Sequence, residues 1–333
     1  MNDVTTTKAD RRFFLGGSDA AAVMGLSPWA TPLELWREKT GRKDAPPPDP
    51  AQIRRWERGH KLEPFIREMC IERLERDFGM TVELVACNAR YTDPEFPWMS
   101  CEIDFELRIT GTMPIGGELV TFDREHINVD AKSVTGFARK KWGHEENTED
   151  VPIEYAAQFM YGLMVCPGRR RYCLVAALRS FDEVDLYWTV RDEETIAAMR
   201  PKLVEFWVDH VLADVPPDPV RFEDIKLLFP IDNGQAREAT ADIAEKVAQF
   251  RDIKARIKEF EEAADALQFE MADFISPHAR LTFEGADILT WKGQSDTRID
   301  STLLKAEKPE VWAEFARTKV IRVMRIVKPK KGK

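Results

Sequence analysis

The order of the helical and β-type segments carries the most information about the fold. A helical stretch at about 52–77 precedes four β-type segments, TVELVACNARY, WMSCEIDFELRI, GELVTF and INVDAKS. A helix at about 153–165, two more strands and a helix at about 193–212 follow. A meander of strands followed by a helix and further strands predicts an α+β domain built on one mixed sheet.

Two further regions flank this core. Near the N-terminus we predict two short helices, the first capped by Ser18 or Asp19 and ended by Gly25, the second beginning at Thr31 and Pro32. The proline-rich segment DVPPDP at 214–219 predicts a boundary. The expected domains are therefore a core at 1–215 and an appendage of unknown role at 220–333. The appendage should hold a long charged helix at about 235–275, two short strands, a helix near 301–317 and the strand-like VIRVMRIV.

Composition limits the environment of the chain. Its 333 residues contain no apolar run of the roughly 18–20 residues that a membrane span needs, and the N-terminus lacks a signal-peptide core. The expectation is a cytoplasmic protein without a membrane partner. Five widely separated cysteines predict reduced thiols instead of a zinc, iron–sulfur or disulfide framework. The net charge of −9 does not exclude nucleic acid, because a local basic stripe suffices for binding.

One charged pair interrupts an otherwise apolar strand. In INVDAKS, residues two apart share a face, so Asp130 and Lys132 should lie side by side. Two other D-x-K patterns, at 224–226 and 252–254, fall in contexts that predict solvated surface. The first pattern also has a second strand acid before it, Asp104 in CEIDFEL. Two carboxylates and a lysine can hold Mg²⁺ and serve a water that attacks a phosphodiester, and a buried ion pair is the alternative.

Five ordered motifs add a resemblance to a known family. RRFFLGGSDAAAVMGLSPWATPLELWREKTG resembles the opening motif of the YqaJ viral recombinase family, relatives of phage lambda exonuclease in the PD-(D/E)xK nuclease superfamily. RGHKLEP, CEIDFEL, DAK and PIEYAAQFMYGLMV resemble the motifs that follow, in the family's order. The resemblance implies an α+β core of the PD-(D/E)xK, restriction-endonuclease-like type, a mixed sheet flanked by helices, with a helix-rich C-terminal appendage.

The resemblance also implies roles for individual residues. Metal ligands would be the carboxylates of Glu63, Asp104 and Asp130 and the carbonyl of Ala131, with Mg²⁺ as the cofactor and Mn²⁺ as a substitute. Lys132 would orient or activate the water, with Gln158 holding both. The remaining family positions bind DNA or its terminal 5′ phosphate: Arg11, Ser18 and Tyr155.

Simpler interpretations of several of these residues stay open. Ser18 is also a candidate helix cap, Arg12 competes with Arg11, and Tyr155 suits core packing. The family often has Glu where this chain has Asp130, and the insert between Asp104 and Asp130 is longer than a tight hairpin requires, so we expect it to affect substrate access.

The implied activity is that of a Mg²⁺-dependent 5′-to-3′ exonuclease on double-stranded DNA ends. It would release 5′-mononucleotides and leave a 3′ single strand for phage-type recombination. A single-strand annealing protein is the implied partner, and a ring-like trimer the implied oligomer. The alternatives are an endonuclease with the same metal chemistry and a non-catalytic module that binds DNA ends or a recombinase.

Overall fold

The computed structural model describes residues 10–42, 49–134, 136–180 and 183–327, and the chain forms two compact units, Met1–Ile225 and Lys226–Lys333. The first unit continues beyond the proline-rich segment. Asp224 there is fully buried and accepts a hydrogen bond of 2.7 Å from the Thr31 hydroxyl. The prediction of solvated surface at this D-x-K pattern is therefore wrong, because Asp224 closes a contact inside the first unit. Among the described residues, no helix is both long and apolar enough to cross a membrane.

The first unit contains five strands and several helices. In chain order these are a 3₁₀ turn (Asp10–Phe13), α1 (Gly17–Val23), α2 (Pro32–Lys39), α3 (Pro50–Phe78), β1 (Thr81–Thr92), β2 (Ser100–Ile115), β3 (Glu118–Ser133), a 3₁₀ segment (Gly136–Lys141), α4 (Ile153–Val165), β4 (Tyr172–Leu178), β5 (Val184–Val190), α5 (Glu193–Glu205), a π-helical turn (Phe206–Leu212) and the beginning of α6 (Phe222–Leu228), which ends in the second unit.

The strands form one mixed sheet in the order β1-β2-β3-β4-β5. Only β3 and β4 are parallel, with Val129 opposite Leu174, and the other neighbours are antiparallel. Parallel neighbours need a crossover connection, and α4 lies in that connection. The predicted α+β core with a mixed sheet flanked by helices is confirmed.

One face of the sheet packs against α3. Ile66, Cys70 and Leu74, four residues apart on that helix, are buried against the apolar residues of the strands. Burying each large apolar side chain stabilises the fold by about 1.5–3 kcal/mol. From β3, Ile127 and Val129 enter this core, which leaves Asn128, Asp130 and Lys132 on the opposite face. The alternation predicted for INVDAKS is confirmed.

The predicted insert between Asp104 and Asp130 is the outer part of a long β-hairpin. The sequence suggests two strands, GELVTF and INVDAKS, whereas the structure has the single strand β3. Strand β3 stays paired with β2 along its length because β2 is equally long. The chain turns between the two strands at Gly116 and Gly117, both at positive φ, where glycine is favoured. The register of the pairing shifts between Ile109 and Gly111 of β2, opposite the charged segment in the middle of β3.

The cap of α1 also differs from expectation. The N-cap is Gly16 instead of Ser18 or Asp19, because the Asp19 carboxylate reaches back to accept the Gly16 N–H at 2.9 Å. Helix α2 begins as predicted, with Thr31 as N-cap and Pro32 in the first turn. The segment DAPPPDP at 44–50 is too proline-rich for a helix and predicts a loop, which falls mostly outside the described residues.

The second unit is built around a 35-residue helix. Its elements are α7 (Ala241–Ile275), a hairpin of β6 (Arg280–Phe283) and β7 (Ala286–Thr290), α8 (Ser301–Glu307) and α9 (Pro309–Phe315). The single helix predicted at 301–317 is wrong. Lys308 leaves the helical conformation because a residue before proline disfavours it. The predicted strand at 320–327 is also wrong, since that segment pairs with no strand in the described chain.

Candidate active site

Three elements of the first unit meet where β3 runs under α4. Strand β3 supplies Asp130 and Lys132, β2 supplies Asp104, and α4 supplies Gln158. The alternation of β3 directs its polar side chains away from the α3 core, and the crossover lays α4 over them. Residues more than fifty positions apart in the sequence are thereby brought into one cluster.

Hydrogen bonds and an ion pair join the members of this cluster. The Lys132 Nζ lies 2.6 Å from Asp130 Oδ1 and donates to Gln158 Oε1 at 3.5 Å. The Gln158 amide donates in turn to Asp130 Oδ2 at 3.0 Å. Asp104 Oδ2 accepts the Ala131 backbone N–H at 2.7 Å, which fixes the second acid beside the first. Lysine, carboxylate and amide thus hold one another in place.

Aromatic rings of α4 surround the lysine. The Lys132 Nζ lies 5.1 Å from the centre of the Tyr155 ring and 5.6 Å from that of Phe159. Tyr155 in turn lies 5.9 Å from Trp29 and 5.7 Å from Trp142 between ring centres. A cation over a ring face is attracted by its quadrupole, so the rings restrict and stabilise the ammonium group.

The electrostatics of the cluster favour a charged lysine. Burial alone would lower the pKa of Lys132, but Asp130 and Asp104 outweigh it and the pKa is raised. Burial, followed by repulsion from Asp130, raises the pKa of Asp104 to about 8, against the opposing effect of Lys132. Two acids thus compete for one ammonium group.

The donor set fits a hard divalent cation at two carboxylates. Asp130 Oδ1 is buried and makes no well-directed hydrogen bond, although Lys132 Nζ is close to it. A cation beside Asp104 and Asp130 would relieve the repulsion that raises the Asp104 pKa. Yet no three His, Cys, Asp or Glu side chains of the described chain are grouped closely enough to hold a metal. Glu63 instead has its Oε1 3.0 Å from His60 Nδ1, so its role as a ligand stays a prediction, as does that of the Ala131 carbonyl.

The predicted phosphate-binding pair lies next to this cluster. Arg11 Nη2 donates to the Ser18 Oγ at 2.7 Å, and both side chains are exposed. The neighbouring Gly17 packs so closely on α4 that a Cβ there would lie 3.2 Å from Gln158 Cγ. The rival Arg12 lies against Gly41 instead. The structure therefore brings Arg11 and Ser18 together and places α1 against the helix that carries Gln158.

The candidate site residues from Arg11 to Gln158 all fall inside one family match. The model of the YqaJ-like viral recombinase domain matches residues 8–168. The YqaJ resemblance is confirmed. A curated relative, the uncharacterized protein YqaJ of Bacillus subtilis (strain 168), is 27% identical over 308 residues, which cover 91% of this chain and 88% of the relative.

Solved structures resemble this chain only loosely. An alkaline exonuclease (LHK-Exo) from Laribacter hongkongensis superposes with a TM-score of 0.40 and 16% identity, over 62% of this chain and 92% of that one. The structure of LHK-Exo in complex with dAMP superposes with a TM-score of 0.40 and 18% identity, over 66% of this chain and 95% of that one. Two structures this distant carry no information about the chemistry of this chain.

Several residues around the cluster were not anticipated from the sequence. Phe159 and Trp142 complete the aromatic surroundings of Lys132 and Tyr155, and the four-residue spacing from Tyr155 to Phe159 is the signal that could have indicated the first. Lys39 is buried, with its Nζ 2.6 Å from Asp19 Oδ2 and 2.8 Å from the Arg11 carbonyl oxygen. It ties α1 to the backbone of Arg11, and no sequence spacing indicates such a contact.

Proposed function

We propose that the chain is a metal-dependent exonuclease that degrades one strand of duplex DNA from the 5′ end. It releases 5′-mononucleotides and leaves a 3′ single strand for recombination. The observation that carries the proposal is the Lys132 ammonium group, held between Asp130 and Gln158 beside a second acid, Asp104. The match to a viral recombinase domain supports DNA as the substrate.

The side chains of the cluster divide the work of phosphodiester hydrolysis. When bound at Asp104 and Asp130, Mg²⁺ supplies charge neutralisation of the phosphate and a lower pKa for a ligand water. Lys132, kept charged by its acidic neighbours, donates hydrogen bonds to the water or to a phosphate oxygen that gains charge. Gln158 holds Lys132 and Asp130 in one arrangement, and the rings of Tyr155 and Phe159 limit the motion of the ammonium group.

The exposed Arg11–Ser18 pair supports the proposed direction of digestion. A guanidinium group and a hydroxyl 2.7 Å apart offer several donors to a terminal phosphate, which carries two negative charges at neutral pH. Because Gly17 joins this pair to α4, a phosphate bound there lies close to the cluster of Asp130 and Lys132. A 5′ phosphate held at this place would present the first phosphodiester bond to that cluster.

Two partners belong to the same proposal. The 3′ single strand left by the reaction is the substrate of a single-strand annealing protein, which would therefore act next. A ring-like trimer through which the duplex passes would explain how the enzyme stays on one DNA end.

The nuclease proposal is tested with linear and covalently closed circular duplex in the presence of Mg²⁺. We expect loss of the linear DNA alone, with mononucleotides as products, and no loss with Asp130→Asn. Nicking of the circle would show an endonuclease, and binding without any cleavage would show a DNA-end-binding module. Omitting the metal or replacing it with Mn²⁺ tests the cofactor in the same assay.

The direction is tested with duplexes that carry either a phosphate or a hydroxyl at the 5′ ends. Loss of a charge-assisted arginine contact costs about 1.5–3 kcal/mol, or roughly ten- to hundredfold in initiation rate. We expect this preference for the phosphorylated duplex in the wild type and its loss in Arg11→Ala. Arg12→Ala is the matched control and should keep the preference. Equal rates on both duplexes with the wild type would contradict the pocket and leave the cluster of Asp130 and Lys132 untouched.

A further inference from the structure

Helix α7 of the second unit exposes a continuous apolar stripe. Large apolar side chains recur along it at spacings of three and four residues, interrupted by Lys246 and Ala264. Each is between 40% and 76% exposed. We call these residues the α7 seam: Ile243, Phe250, Ile253, Ile257, Phe260, Leu267, Met271 and Phe274.

The seam has the spacing of a coiled coil. Its members occupy the first and fourth positions of successive heptads from Ile243 to Phe274, and Lys246 is the one charged residue at such a position. An ordinary surface helix buries its apolar stripe against its own domain. In α7, Ile275 alone is buried against the rest of the described chain. Apolar surface of this extent, sustained over four heptads, marks a site of association.

The charges beside the seam identify the occupant. The half of α7 at 241–257 has four basic residues, Lys246, Arg251, Lys254 and Arg256, against three acids. The half at 258–275 has six acids against Lys258: Glu259, Glu261, Glu262, Asp265, Glu270 and Asp273. A parallel pair would place the two acidic halves together, whereas an antiparallel pair places each acidic half beside a basic one. We propose that α7 pairs with α7 of a second copy of this chain as an antiparallel two-helix coiled coil.

The register of this pair follows from the heptads. When the helices cross near residue 258, Phe260 of one copy packs beside Ile257 of the other. Phe274 then lies beside Ile243, and the small Ala264 lies opposite Ile253. Lys254 flanks Glu261 of the second copy, and the same contact recurs by symmetry. Large apolar residues therefore meet along most of the overlap, with Lys246 opposite Met271, and the Lys254–Glu261 contact on each side joins opposite charges.

The association is tested with the full-length chain by light scattering and sedimentation over about a hundredfold range of protein concentration. We expect Phe260→Asp to halve the mass of the wild-type assembly. Phe269→Asp is the matched control, because Phe269 is equally exposed on α7 but lies on the side opposite the seam. A mass that does not change in Phe260→Asp, or that falls equally in Phe269→Asp, would overturn the proposal. Circular dichroism checks that both variants keep the helix.

The orientation is tested by disulfide formation in a Cys87→Ser background, which removes the exposed thiol. A mixture of Ile243→Cys and Phe274→Cys chains should cross-link on oxidation, because these positions meet in the antiparallel pair. Ile243→Cys chains alone should not cross-link. Cross-linking of Ile243→Cys to itself would show a parallel pair and overturn the orientation. No cross-link in either sample would contradict the register.

Discussion

Lys132 is largely buried yet stays charged, and its surroundings explain how. Burial disfavours an ammonium group, but Asp130 at 2.6 Å and the nearby Asp104 more than compensate. The same contacts hold the nitrogen in one place. A residue arranged in this way suits a role in stabilising developing charge, because it needs no reorganisation during the reaction.

We expect Lys132→Ala to lower the rate of hydrolysis by about 100-fold or more while DNA affinity changes little, since the contribution belongs to the transition state. Single-turnover digestion and a separate binding measurement distinguish the two effects. Lys254→Ala is the control, because Lys254 belongs to a D-x-K pattern on the surface of α7. Similar rates for the two variants would contradict the assignment of Lys132.

Gly17 gives a second test at this scale. A Cβ at this position would lie 3.2 Å from Gln158 Cγ, so Gly17→Ala should displace Gln158 and weaken its hydrogen bonds to Asp130 and Lys132. We expect digestion to slow by roughly ten- to hundredfold, because small displacements of positioning groups carry large costs in rate. In Gly59→Ala no atom lies within 4 Å of the new Cβ, so activity should be retained. Equal activity in the two variants would show that the contact with α1 is unimportant.

The sequence predicted which polar side chains of β3 lie together better than it predicted their surroundings. Asp130 and Lys132 could be paired because alternation along a strand is strictly local. The contacts of Lys39 with Asp19 and Arg11 join α2 to α1 and depend on how the two helices pack, which no local pattern encodes. The bond between His60 and Glu63 was likewise not foreseen, although the two residues are three apart on one helix.

At the scale of elements, a buried ion pair joins the strands next to the cluster of Asp130 and Lys132. Arg170, just before β4, has its Nη1 3.0 Å from Glu106 Oε1 on β2 and donates to Asn128 Oδ1 on β3 at 2.7 Å. His126 Nε2 on β3 lies 3.0 Å from Glu106 Oε2. Three strands are thereby joined through one guanidinium group and one carboxylate.

We expect Arg170→Met to lower the free energy of unfolding by about 3–5 kcal/mol, because it leaves the Glu106 carboxylate buried without its partner. Urea unfolding measures the loss. The double variant Arg170→Met with Glu106→Leu should recover much of it, since no charge then stays buried. A single variant as stable as the wild type would show that water replaces the guanidinium group.

His126 makes stability depend on pH in a defined direction. Burial, followed by the charge of Arg170, lowers its pKa, while Glu106 acts in the opposite direction. The unfolded chain therefore binds a proton at this residue more readily than the folded one, so stability rises with pH and falls as pH drops through about 6.5. We expect His126→Gln to flatten this slope in urea unfolding between about pH 5 and 8. His144→Gln, at an exposed histidine, serves as the control for the substitution itself.

Periodic patterns of apolar residues predicted most helices and strands. The limits of the others depend on pairing between distant parts of the chain. Helix α4 was predicted with its observed limits, because apolar periodicity and the flanking proline define it locally. The sequence predicts two strands in place of β3, because the charged residues of its middle segment, DREH, are not favoured in strands by local propensity. Pairing with β2 on both sides of this segment keeps β3 continuous, with a register shift at the segment itself.

At the scale of the whole molecule, the two units predict unfolding in more than one step. The first unit has its own core around the five-stranded sheet, whereas the second consists of α7 and short elements. Calorimetry of the full chain should show two transitions.

If α7 pairs with a second copy, only the transition of the second unit should move to higher temperature as protein concentration rises, because association stabilises by mass action. Phe260→Asp should abolish that shift, and a shift of both transitions together would contradict independent units.

The heptads of α7 could be recognised in the sequence, but their lack of a partner could not. An amphipathic helix of this length is equally compatible with packing on its own domain. Only the exposure of the seam in the folded chain separates the two arrangements.

The parallel pairing of β3 with β4 also sets the order in which the cluster can assemble during synthesis. Asp104, Asp130 and Lys132 leave the ribosome well before Gln158, and β3 lacks one of its neighbours until Leu178 has been made. Because domains fold as units once their non-local contacts can close, a nascent chain that ends before α4 carries the acids and the lysine without the amide that fixes them. Incomplete translation products should therefore be inert towards the DNA of the cell that makes them.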